Sequence, residues 1–176
     1  MHSLHFVLVP ELTLERLAAY HADVTASLRL YFSPAAPAFT TRFAAQSPRE
    51  VATELRSRLL ESDIRSTLVL MTSLEAHFQI DFNLRCRSNL SDALSVHFRD
   101  IETTGGNRVR LEDILEGWKR HVSTTADLIG QLRGAFKFRH WLAHGRYSSS
   151  KLGQKYDFEG VYLLASAVIS GFPLGG

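Results

Sequence analysis

From Ser47 onward the chain carries an apolar stripe that runs to about Arg85 without a helix breaker. Val51, Leu55, Leu59, Ile64, Leu68, Met71, Phe78 and Phe82 recur at helical spacing. A period near 3.6 puts such side chains on one face of a helix, whereas a half-buried strand needs a period of two. The start is encoded locally: Ser47 can cap, Pro48 suits the first helical position, and Glu50 completes a capping box. One long helix is therefore predicted, and it cannot bury its stripe without other helices beside it.

The rest of the chain supplies them. Leu14, Leu17, Ala18, Val24, Leu28 and Tyr31 predict a first helix over 11–31, ended by Pro34 and Pro37, with a loop to Gln46. A shorter helix is expected at about Leu90 to Ile101, then a Gly105-Gly106-Asn107 turn and a helix marked by Leu111, Ile114, Leu115 and Trp118. Ser123 or Thr124 caps a helix over Thr125–His144, with Gly145 at the C′ position where a left-handed residue is favoured. Asp157 caps a last helix through Val161, Leu164, Ala165, Val168 and Ile169. No segment alternates with period two. The expected class is all-α: a helical bundle with the long helix and the Thr125–His144 helix as its central pair. Residues 1–46 are expected to be a helical extension packed on a domain over 47–176.

At 176 residues, with 45% hydrophobic and 22% charged side chains, the chain can bury a sizeable core, which excludes wholesale disorder. A single cysteine, Cys86, excludes an intramolecular disulfide and a Cys-rich zinc module, and makes a cytoplasmic location the default. The N-terminal stretch has no basic region ahead of its short apolar run, and Val161 to Ile169 is about half the length needed to cross a bilayer. No membrane association is expected. Charge is uneven. Arg133, Lys137, Arg139, Arg146, Lys151 and Lys155 lie between Leu128 and Tyr156 with no acidic residue among them, and these six exceed the chain's whole net charge of +2. A basic block on a mildly acidic body suggests a localised anion-binding face, or else a solvated basic segment without a ligand.

Common catalytic patterns are missing. His140 and His144 share a helix face, but His-Trp-Leu-Ala-His lacks the glutamate of a zinc peptidase helix, and no third ligand follows. No metal site and no cofactor are expected. His77 and Asp81 suggest a surface hydrogen bond. Cys86, between Arg85 and Arg87, has neighbours that lower a thiol pKa, yet nothing else marks a nucleophile; a half-buried thiol at a helix end is the expected state.

The segment Phe136 to Tyr147 is different. Arg139 and His144 are separated by four residues at a helix C-terminus, with His140 after the arginine and Arg146 beyond the glycine. This resembles the R-x4-6-H motif of the HEPN superfamily, whose members are all-α bundles of similar size with the motif late in the chain and one more helix after it. The resemblance covers about residues 48 to 172, and Glu75 in the long helix matches an acidic position found in several members. It implies a metal-independent endoribonuclease of a toxin or defence system. Arg139 would clamp phosphate, His144 would act as acid or base, and His140 would assist. Arg133, Lys137, Arg146, Lys151 and Lys155 would bind RNA, and Glu75 and Tyr147 would orient the site. Implied partners are RNA, a second copy of the chain facing the first across a cleft, and an antitoxin or defence-system protein. Members controlled by adenylylation carry a tyrosine two residues after the motif histidine; Tyr147 is three after it. A catalytically silent domain of the same kind, binding nucleotide or RNA or mediating dimerisation, is the alternative, as is an unrelated helical interaction protein.

Overall fold

Ser47 and Glu50 make the expected capping box: Glu50 N–H donates to Ser47 Oγ at 3.3 Å, and Ser47 N–H donates to Glu50 Oε2 at 2.7 Å. The hydrogen bonds it accepts from the Ser47 N–H and hydroxyl hold the Glu50 carboxyl below its usual range. The computed structural model describes residues 13–105, 109–122, 126–143 and 156–174. Its helices are α1 (Leu14–Tyr31), α2 (Phe39–Arg42), α3 (Pro48–Arg87), α4 (Ala93–Gly105), α5 (Leu111–His121), α6 (Ala126–Ala143) and α7 (Phe158–Gly171), and no strand occurs among the described residues. The all-α class is as expected. The N-terminal turn of the Thr125–His144 helix, its expected cap at Ser123 or Thr124, and Gly145 lie outside the described residues.

Local departures have local causes. α1 begins at Leu14 rather than 11, because Thr13 is extended and its hydroxyl accepts the Arg16 N–H. α4 starts and ends three to four residues later than expected, since Asp92 caps it by accepting from Ser95 N–H and Ser95 Oγ. The loop after Pro34 contains the single-turn helix α2. Asp157 caps α7 as predicted, accepting from Gly160 N–H at 2.8 Å.

The chain divides into two compact units, one through Ser66 and one from Thr67. This division falls inside α3. Phe32, Phe43 and Val51 share a core with Phe39 and Leu55, so the residues ahead of Ser47 are packed with the first turns of α3. In the second unit α4 packs on α5, α5 on α6 and α6 on α7. Its core holds Leu70, Met71, Leu74 and Phe78 of α3, Phe98 of α4, Ile114, Leu115 and Trp118 of α5, Ile129 and Leu132 of α6, and Val161 and Val168 of α7.

One charged residue lies inside this apolar face. Asp81 has no exposed surface, and Arg85 Nε donates to both its carboxylate oxygens at 3.0 Å. The expected surface pairing of His77 with Asp81 is corrected in that respect: the aspartate is buried, and His77 Nδ1 lies 2.8 Å from the Ser73 carbonyl. Removing one partner of a buried ion pair leaves an uncompensated charge, at a typical cost of about 3–5 kcal/mol. Asp81→Ala should therefore lower the unfolding free energy obtained from urea denaturation by that order, and with it the midpoint. An unchanged midpoint would show that Arg85 does not need its partner.

Candidate functional site

α6 carries the arginine of the R-x4-6-H segment. Leu132, Ala135, Phe138 and Leu142 are buried at helical spacing, which fixes the rotation of the helix. Arg139 then falls at the margin of the buried face, about one third exposed, and its Nη1 lies 2.8 Å from Glu75 Oε2 on α3. A guanidinium has five N–H donors in a planar fork, so one carboxylate contact leaves others for a second anion. Lys137 and His140 are exposed on the same helix. Phe138 stacks on Trp141 with centroids 5.6 Å apart and on Tyr156 at 6.0 Å. The Tyr156 hydroxyl lies so close to α6 that a Cβ at Gly134 would overlap it, so glycine there admits the ring.

Of the expected site residues, Glu75 and Arg139 are brought together. His144, Arg146, Tyr147, Lys151 and Lys155 lie outside the described residues. Two carboxylates of α5 enclose Arg133: Nε lies 2.7 Å from Glu112 Oε1, and Nη2 donates to Glu116 Oε2 at 2.7 Å. The Nε hydrogen is not directed at Glu112, so that contact is an ion pair rather than a hydrogen bond. The Glu116 contact holds that carboxyl below its usual range and raises the arginine further. Counting charge along α6 alone overlooked this pair, although Glu112 and Glu116 are four residues apart and share a face of α5.

Asp81 and Arg85 were also missed as a unit. Their signal lay in the spacing: Leu74, Phe78, Asp81 and Arg85 follow one face of α3. Among the described residues no group of three or more His, Cys, Asp and Glu is placed to hold a metal ion. No described helix is long and apolar enough to cross a membrane.

Cys86 is half-buried. Of its flanking arginines, Arg85 is committed to Asp81. Burial pushes the thiol up to about 11, with Glu102 adding to the shift through its charge and a hydrogen bond, against a smaller opposing effect of Arg99.

No family model matches the chain, and neither do any of the curated proteins or solved structures.

Only the thiolate attacks iodoacetamide, so Cys86 in the folded protein should react at least about tenfold more slowly near neutral pH than a free cysteine. Its rate should keep rising towards pH 11. A rate equal to that of free cysteine would contradict the burial account.

Proposed function

We propose that this chain is a metal-independent endoribonuclease of the HEPN kind, acting as a homodimer in the cytoplasm within a toxin or defence system. The observation that supports this reading is the ion pair between Arg139 and Glu75. It joins the motif arginine, near the end of the penultimate helix of an all-α bundle, to an acidic residue on the long helix. Glu75 restrains the guanidinium, so less rotamer freedom is lost when phosphate arrives.

In the proposed reaction the ribose 2′-hydroxyl attacks the adjacent phosphorus in line and the 5′-oxygen leaves, giving a 2′,3′-cyclic phosphate. His144 takes the proton from the 2′-hydroxyl or delivers one to the 5′-oxygen, since imidazole titrates near neutrality. A second motif histidine across the dimer supplies the complementary role. Arg139 stabilises the charge developing on the phosphorane, and His140 assists. Lys137, Arg146, Lys151 and Lys155 hold the strand through phosphate contacts. Tyr147 helps orient the segment. A cognate antitoxin or defence partner covers the site when it is silent.

Cleavage of single-stranded RNA by the purified protein should persist in EDTA. Arg139→Ala and His144→Ala should each reduce the rate by roughly 10²–10³-fold or more while retaining RNA binding. Loss of activity on chelation, or full activity in both variants, would overturn the assignment. Binding without any cleavage by the wild type would instead establish a catalytically silent domain of this kind.

A further inference from the structure

The α4–α5 contact contains a second pair of titratable rings, remote in sequence from the motif. The His97 and His121 rings have centroids 4.9 Å apart at an interplanar angle of 43°. His97 is half-buried and packed on α5 where that helix has no side chain. A Cβ at Gly117 would lie 3.0 Å from His97 Cδ2 and 2.6 Å from Phe98 Cε1, so the helices approach closely there. His121 is exposed in the last turn of α5. Two imidazoles at this distance are compatible when neutral. When both are charged they repel across this close helix contact.

We propose that His97 and His121 form an acid-sensitive latch between α4 and α5, closed while the rings are neutral and opened when protonation sets two cations against each other beside Arg120.

The surrounding charges favour this behaviour. From α5, Asp113, Glu116, Arg120 and His121 face the pocket or ring of His97, and on α4 the nearest charge is Asp100. Asp113 is engaged by Arg110, and Glu116 by Arg133, so neither carboxylate is given over to an imidazolium. From α3, Arg85 is engaged by Asp81, by Asp92 ahead of α4 and by Ser95 on it. Burial is the largest influence on His97 and holds its pKa below the usual imidazole value. His121 and Arg120 act in the same direction, and Asp100 opposes them. The sign follows directly: the neutral ring's contribution is complete above the unfolded-state pKa and is lost as pH falls through the lower folded-state value. A cavity of about 330 Å³ is bordered by His97, Thr104, Val109 and Arg120, so one side of the His97 ring faces open space. The inference does not depend on whether the chain cuts RNA.

Hydrogen exchange on the full chain tests it. After correction for intrinsic rates, amides of Lys119 to Val122 should lose about tenfold protection relative to those of Val161 to Val168 between about pH 7.5 and about pH 5.5. That window lies above the carboxylate range, so histidines dominate it. His97→Gln should abolish the pH dependence of this loss, and His121→Gln, an exposed substitution, should reduce it in part, since burial of His97 remains. A variant that merely loosens the junction would speed exchange equally at both pH values. Equal pH dependence in wild type and both variants, or none in the wild type, would overturn the latch.

Discussion

A carboxylate without exposed surface in an apolar helix face is tolerable only if a cation meets it with good geometry, and Arg85 does so for Asp81. The same guanidinium extends from Nη1 to Ser95 Oγ at 3.3 Å and Asp92 at 3.5 Å, and from Nη2 to the Pro173 carbonyl at 2.8 Å. Its Cζ lies over the Trp118 ring, 5.1 Å from the ring centroid. One side chain thus ties α3 to the first turn of α4, to α5 and to the chain beyond α7. Only a planar fork with five donors can serve so many partners, which makes lysine a poor substitute. Nearby, Arg99 donates to the Leu90 carbonyl at 2.7 Å, within the turn that follows α3.

The candidate site depends on that frame. Glu75 lies on the same helix as Asp81, in a stretch rotated by the burial of Leu74 and Phe78, and it reaches Arg139 only because α6 is rotated by its own buried face. α6 is further held from the other side, where Glu112 and Glu116 of α5 grip Arg133. Two arginines on one helix therefore carry different duties. Arg133 is consumed by structure. Arg139 keeps one carboxylate contact and about a third of its surface, a state compatible with receiving a second anion.

What was legible in the sequence was local. Ser47-Pro48-Arg49-Glu50 and Asp157 announce helix starts because a cap is satisfied by residues one turn away, and the helical period of α3 is written in its own apolar residues. The Asp92 cap escaped because a short polar loop precedes it, with no strong periodic pattern to mark its end. Pairing between helices was illegible for a different reason. Charge totals treat Arg133 and Arg139 alike, and only the packing of α5 on α6 neutralises the first. Asp81 looked like a surface partner for His77 because aspartate is rarely buried, although its place on the stripe of α3 carried the contrary signal. Glu75 was singled out through a family resemblance, and its contact with Arg139 depends on tertiary structure that local pattern does not encode.

In the proposed reaction Arg139 and His144 serve an attack by the ribose 2′-hydroxyl, a group that distinguishes RNA from DNA. The most direct measurement places a single 2′-deoxynucleotide on the 5′ side of a mapped cleavage site and follows that linkage by gel. This bond should stay intact while neighbouring cuttable bonds are still cleaved. Cleavage of the 2′-deoxy linkage at the unmodified rate, or failure of the wild-type protein to cut any RNA, would contradict it.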